Sequence, residues 1–213
     1  MIHIFGGGTV SHVRNHLALC APAYGETARK LYDILRAAGY SEDQVKLELT
    51  RMADSASRIE TNQDVADRVN ELLADPKTRA IVFNVALCDF EGQIGDVVSG
   101  KYAARLKSRE GLQAMTLAPA AKVLGAIKAV RPDIFVVGFK TTADSIIPER
   151  LALAERQINE TGVDLVLAND TVTRKNMLVW RSPRDQSIQK MLTPARQDAL
   201  NCVASAVRKA VAA

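Results

Sequence analysis

Gly6-Gly7-Gly8-Thr9 closes the apolar opening run MIHIF, and it is the first stretch of the chain with the makings of a ligand site. Glycines lack a Cβ, so their backbone N–H groups approach a phosphate closely and accept positive φ. Thr9 adds a hydroxyl. The same residue types also suit a tight turn with no ligand. Three further polar sequences follow apolar runs: CDFEG after AIVFNVAL, KTTAD after IFVVGF, and ND after LVLA. Neither familiar phosphate fingerprint is complete. Ser11 stands where a GxGxxG motif needs its third glycine, and no Gly-Lys-Ser/Thr of a P-loop occurs. An NAD(P)-dependent oxidoreductase therefore rests on the glycine run and the fold pattern alone.

These polar sequences need a scaffold, and the hydropathy pattern supplies one. Strands are predicted over residues 1–5, 45–49, 80–87, 112–117, 134–139, 165–168 and 177–181. The runs at 80–87 and 134–139 are almost continuously apolar, as in strands buried on both faces. Helices are predicted over residues 22–38, 62–73, 119–130, 147–159 and from 193 or 194 to 211. Gly39 stops the first, Thr61 or Asn62 caps the second, and Pro119 suits the start of the third. Residues 88–111 form a polar, Gly-containing connection, long for a compact domain and of the kind that often carries function. Strands alternating with helices predict a Rossmann-like, doubly wound α/β fold, with a mostly parallel sheet and helices on both faces. One domain would span residues 1–213. Ligands of such folds lie beyond the carboxyl ends of the strands, where GGGT, CDFEG, KTTAD and ND all fall.

The composition narrows the function classes. Apolar residues make up 47% of the chain and charged residues 24%, an ordinary globular balance. The net charge of +4 is spread along the chain and aromatic residues are only 5%, which argues against a nucleic-acid surface. No apolar stretch approaches a membrane span and no secretory signal is visible, so a cytoplasmic protein is expected. Cys20, Cys88 and Cys202 are too far apart for a zinc site and odd in number. His3, His12 and His16 lack ligand-spaced partners and read as loop or surface residues. No protein-built metal site is expected.

Taken in order, the strand-end sequences resemble phosphopantothenoylcysteine synthetase, the ligase of coenzyme A biosynthesis. The resemblance covers most of the chain and is weakest over residues 39–77. Gly6-Gly7-Gly8-Thr9 resembles the family's opening Gly-rich turn, Val13-Arg14 its Val-Arg pair, and Gly25 the glycine that opens its first helix. Ala86-Leu87-Cys88-Asp89-Phe90 resembles Ala-Val-Ala-Asp-Tyr, and Arg105-Leu106-Lys107-Ser108 resembles Lys-Ile-Lys-Ser. The stretch from Leu117 to Leu124, with Pro119, Ala120 and Lys122, resembles the segment ending in Thr-Pro-Lys-Ile-Leu. Val137-Gly138-Phe139-Lys140 resembles Val-Gly-Phe-Lys, and Asp164 to Asp170 resembles Asp-Leu-Ile-Val-Ala-Asn-Asp.

The resemblance implies a reaction. The ligase activates the carboxylate of 4′-phosphopantothenate with CTP (or ATP) and Mg²⁺, giving an acyl-nucleotide and pyrophosphate; the amine of cysteine then forms the amide. Two anions meet in the first step, so cations must offset their repulsion. The residues that would do so are Arg105 and Lys107, with Lys140 adding to them and Arg14 carried over from the family's Val-Arg pair. Asp89 would accept a hydrogen bond from base or ribose, Phe139 would pack on the nucleotide, and Asn169 would bond ligand or loop. Each has an ordinary alternative: solvated basic loop, cap, core residue, turn. The resemblance also implies a homodimer.

The match breaks at several places: the segment between the Gly-rich turn and Arg14 is shorter than the family's, and Arg156 and Gln157 stand where it often has lysines. The family's Asn-x-Ser-Ser-Gly before its first helix falls on Ala18 and on Cys20-Ala21-Pro22, and Asn15 is the nearest asparagine that could take the missing role. Arg105 stands where the family commonly has lysine, which changes donor geometry while keeping charge. A working ligase and a catalytically degenerate nucleotide- or coenzyme A precursor-binding module are both compatible with this pattern.

Overall fold

A computed structural model describes residues 1–212 of the chain. The elements begin with β1 (Ile2–Gly8), β2 (Val10–Arg14), β3 (Leu17–Cys20), α1 (Glu26–Ala37), β4 (Val45–Leu49) and α2 (Asn62–Ala74). There follow β5 (Ala80–Ala86), β6 (Phe90–Ile94), β7 (Met115–Pro119), α3 (Leu124–Val130) and β8 (Phe135–Thr142). The chain continues through α4 (Ile147–Thr161), β9 (Leu165–Asp170), β10 (Asn176–Arg181), β11 (Ile188–Thr193) and α5 (Arg196–Ala212).

Seven strands form one sheet in the order β11-β10-β9-β8-β5-β1-β4. The five from β9 to β4 are parallel, and β10 runs antiparallel to both of its neighbours. Alternate side chains of each strand face opposite layers. Phe5, Ile81, Phe83, Val136 and Val166 pack with Val65, Val69, Ile127 and Ile158 of α2, α3 and α4. Ile2, Ile4, Val82, Val137 and Leu167 pack with Leu31 and Leu35 of α1 and with Leu200, Val203 and Val207 of α5. Helices on both faces of a mostly parallel sheet are the doubly wound architecture predicted from the hydropathy pattern.

Local chemistry sets the helix ends. Thr61 Oγ1 accepts the Asp64 amide (3.2 Å), and Asp64 Oδ2 accepts the Thr61 amide (2.8 Å), a reciprocal cap that starts α2 where predicted. Helix α1 begins later than residue 22, because Gly25 takes a left-handed φ of 76° and the chain before it is irregular. Pro119 starts no helix. It ends the edge strand β7 opposite Phe90, a position that needs no donor, and α3 begins at Leu124.

The connection expected at residues 88–111 is partly ordered as β6, which pairs with β7. A second hairpin, β2–β3, was not expected at all. The two hairpins cross at Gly92, where a Cβ would come within 2.9 Å of Val13 Cγ2 and 2.7 Å of Met115 Sδ. Their strands are short, and most of their side chains are only partly buried or exposed, so the alternation that reveals a half-buried strand is weak.

Candidate active site

A cavity of about 500 Å³ opens at the carboxyl ends of the parallel strands. Gly7 of β1, Asn84 and Ala86 of β5, Thr141 of β8 and Asn169 of β9 form its floor. The wall comes from the segment Ala21 to Thr27, from Thr171, and from Arg196 at the start of α5. The chain leaves β1 toward β4 on one side and reaches β5 on the other, so the cavity lies at a topological switch point. A larger cavity of about 1020 Å³, lined by residues such as Phe135, Leu165, Trp180 and Cys202, includes the first residues of β8 and β9, at the opposite end of those strands. Its lining is mostly apolar, so the smaller cavity is the one with converging polar side chains.

The glycine run is not a turn after the first strand. It is the end of β1, buried throughout, and all three glycines are required by packing. A Cβ on Gly6 would lie 2.4 Å from Ala28 Cβ, one on Gly7 2.2 Å from Thr50 Oγ1, and one on Gly8 1.9 Å from the Ala21 carbonyl. Gly7 also needs its φ of 99°. Of the three, Gly7 alone is among the cavity residues. The phosphate cradle expected of Gly6, Gly8 and Thr9 is therefore corrected. Thr9 is fully buried, and its hydroxyl donates to Asn62 Oδ1 (2.6 Å) and accepts the Cys88 amide (2.9 Å). The oxidoreductase reading loses the turn on which it rested.

The floor at β8 and β9 is held by a buried carboxylate, Asp170, the last residue of the Asp164–Asp170 motif, to which the sequence reading assigns no role. Asp170 accepts hydrogen bonds from Thr142 Oγ1 (2.8 Å), the Ser145 amide (2.9 Å) and the Thr173 amide (2.8 Å). The fully buried Arg150 guanidinium lies 3.6 Å away. The backbone bond from Thr173 is the main cause that holds the Asp170 carboxyl far below the usual carboxylate range, against the opposing effect of burial. This node ties the loop after β8 to the turn after β9, and so positions Thr141, Asn169 and Thr171 around the cavity.

The other predicted residues separate into groups. Asn169 and Ala86 line the cavity, as does Gly7. Phe139 is half-buried beside it in the layer of α1 and α5, with the Arg196 guanidinium 6.0 Å from its ring centroid. Lys140 is half-buried next to Thr141 at the carboxyl end of β8. Asp89 and Lys122 form an exposed ion pair at 2.8 Å, and the Ala120 amide donates to the Asp89 carbonyl (2.9 Å). Arg105 and Lys107 are exposed on the long connection between β6 and β7, outside the cavity lining, and Lys107 Nζ lies 3.9 Å from Glu110.

Two expectations for catalytic residues change. Arg14 is buried, and its guanidinium donates to the carbonyls of Val13 (2.7 Å) and Ile94, which joins β2 to β6. It is engaged within the hairpin pair and is not among the cavity residues. Asn15 sits in the exposed β2–β3 turn, where its amide donates to the Ala103 carbonyl (3.0 Å); it does not fill the place of the missing asparagine within this chain's cavity. His3, read as a surface residue, is buried in β1 and bonds Glu48 at 2.8 Å.

Sequence reasoning passed over Asn84, Thr27, Thr141 and Arg196 as site residues. Arg196 had a signal. It is a cation in the first turn of a helix, the end that disfavours positive charge. Of the positions matching the family's Ser-Ser-Gly, Ala21 and Pro22 line the cavity and Cys20 does not; Cys20 and Ala21, at the two serine places, carry no hydroxyl.

Residues 42–198 match the family of the DNA/pantothenate metabolism flavoprotein C-terminal domain. The chain belongs to that family. The coenzyme A biosynthesis bifunctional protein CoaBC of Thermococcus kodakarensis is 27% identical over 126 residues, 59% of this chain. The match covers 30% of that curated relative's own length. Among solved structures, the DNA/pantothenate metabolism flavoprotein from Streptococcus pneumoniae superposes with a TM-score of 0.77 at 17% identity, covering 98% of both chains. The C-terminal domain of a coenzyme A biosynthesis bifunctional protein CoaBC gives 0.66 at 15% identity over 98% of this chain and 91% of that one. A Cab2 mutant in complex with phosphopantothenate-cysteine gives 0.62 at 15% identity, over 99% and 87%. At these identities the shared property is the fold.

Proposed function

We propose that the chain is a nucleotide-dependent carboxylate–amine ligase of the phosphopantothenoylcysteine synthetase type, working in coenzyme A biosynthesis. The observation that carries this reading is a polar, cation-bearing cavity at the switch point of a domain of this family. The phosphopantothenate-cysteine held by the Cab2 mutant of the same fold supports the substrate class. A carboxylate oxygen of 4′-phosphopantothenate attacks the α-phosphorus of CTP (or ATP) and pyrophosphate leaves. The amine of cysteine attacks the acyl carbon, loses a proton and displaces the nucleoside monophosphate.

The residues take roles that follow from where they stand. Asn84, Thr141 and Asn169 supply neutral donors and acceptors to the ligand, and Phe139 packs beside it. Lys140 contributes charge at the end of β8. The Asp89–Lys122 pair is exposed, so it binds its own partner weakly and exchanges it for a ligand at small cost. Mg²⁺ would enter with the triphosphate. Among the described residues no group of three or more His, Cys, Asp and Glu side chains could hold a metal ion, and Mg²⁺ commonly binds through phosphates and waters with few protein ligands.

We further propose a homodimer. Phe90, Met115 and Leu117 of the β6–β7 hairpin are 46%, 38% and 49% exposed, a contiguous apolar face for a second copy to cover. Arg105 and Lys107, which belong to the connection within this hairpin, would then serve the partner's cavity or lie at the interface.

The test is pyrophosphate release from CTP and from ATP with Mg²⁺, 4′-phosphopantothenate and cysteine. We expect release that needs all substrates and, with Arg105 serving the partner's cavity, falls by roughly two to three powers of ten in Arg105→Ala, the usual loss for a transition-state donor. The second reading is a degenerate binding module. It is favoured by the absent serine hydroxyls at Cys20 and Ala21, and it predicts nucleotide binding with no release under any combination.

A further inference from the structure

Arg196 is the first residue of α5, where the exposed amide groups of the helix repel a cation. It is held there nonetheless. Nη1 donates to Asn176 Oδ1 (3.1 Å) and Nη2 to Thr27 Oγ1 (3.2 Å), and the ring of Phe139 lies beneath it. All of its protein partners are neutral. Among the described residues no carboxylate comes within ion-pair distance, although Glu26 lines the same cavity and is exposed. Arg150, the other deeply placed arginine of this region, has the Asp170 carboxylate; Arg196 has no equivalent.

A partly desolvated guanidinium without a counter-ion is costly, and burial lowers its pKa accordingly. Two of its five N–H donors are used, and the side chain lines the cavity, so its unfilled bonding capacity lies beside open volume. Asn84, Asn169, Thr141 and Thr171 surround the same space with neutral donors. A tetrahedral anion with several oxygens suits one planar cation ringed by neutral donors.

We propose that Arg196 is the counter-ion for phosphoryl oxygens of the bound substrate. The inference rests on the reading of this cavity as the substrate site. Either a phosphoanhydride, as in CTP, or a phosphate monoester, as in 4′-phosphopantothenate, supplies such oxygens.

The experiment is calorimetric titration of the full chain at low salt with inorganic pyrophosphate, CTP and 4′-phosphopantothenate, comparing wild type with Arg196→Gln, Arg196→Lys and Arg196→Ala. Far-UV circular dichroism and a thermal melt accompany each variant. We expect Arg196→Gln, which keeps hydrogen bonding without charge, to weaken at least one ligand by roughly tenfold to hundredfold. Arg196→Lys should lose less. The ligand affected names the source of the phosphoryl group. Equal affinities in wild type and a folded Arg196→Gln overturn the proposal, and so does a folded wild type that binds none of the three. Should Arg196→Ala fail to fold, the Gln and Lys variants decide. Arg196-dependent binding without pyrophosphate release in the ligase assay would sink the ligase reading and leave this one standing. Ligation with unchanged Arg196→Gln binding would do the reverse.

Discussion

Asp170 is 2% exposed and accepts hydrogen bonds from Thr142, Ser145 and Thr173. Its folded pKa lies below the unfolded value of about 3.9. The stabilisation is therefore complete above the ordinary carboxylate range and is lost as pH falls below it. Glu48 acts in the same direction. Burial would raise its pKa, but the hydrogen bonds from His3 and Arg68 outweigh that and hold it below normal. We expect Asp170→Asn to lower the urea midpoint at pH 7, and to leave a shallower loss of midpoint between pH 5 and pH 3 than wild type shows. Parallel acid limbs would mean that Asp170 titrates normally. The variant should also weaken ligand binding, because Thr141, Asn169 and Thr171 depend on the same node.

At the scale of an element, β1 explains the glycine run better than a ligand does. Helix α1, the segment before it and the residues after β4 lie so close to the strand that each added methyl group would strike a neighbour: Ala28 at Gly6, Thr50 and Ala53 at Gly7, Ala21 and Ala23 at Gly8. Gly8 is the sharpest case, since its Cβ would meet the Ala21 carbonyl at 1.9 Å and the Ala23 amide nitrogen at 2.8 Å. Both neighbours are backbone and cannot rotate away. Gly8→Ala should cost about 1–3 kcal/mol, the usual range for an overpacked core, measured by urea unfolding. It should also weaken nucleotide binding, because Ala21 and Ala23 line the cavity. An unchanged unfolding midpoint would show that the segment yields freely.

For the whole molecule, the proposed homodimer has the exposed apolar residues of the β6–β7 hairpin at its interface. Light scattering after size-exclusion chromatography should give twice the 23.1 kDa chain mass. Leu117→Glu should shift it to a single chain mass, since an uncompensated charge in an apolar interface is strongly disfavoured. A wild-type monomer at tens of micromolar would dispose of the dimer. Among the described residues no helix is long and apolar enough to cross a membrane.

What the sequence determined by itself was a mostly parallel sheet with helices on both faces; the edge strand β11 lay outside the predicted strands, and the strand expected at 112–117 pairs only with β6. Long apolar runs such as residues 80–87 have only one way to bury both faces, and alternation with helices then dictates parallel strands. That logic also put Asn169 and Ala86 at the carboxyl ends, because strand direction follows from connectivity. Only the tertiary structure decided which polar residues meet. Arg196 and Thr27 are separated by 169 positions and become partners because α1 and α5 cover the same face of the sheet. Arg14 lies away from the cavity because two weakly patterned hairpins meet around it and bond its guanidinium. The glycines showed in the sequence that something approaches the backbone closely. Whether that was a phosphate or a neighbouring helix depended on packing distances, which no local pattern encodes.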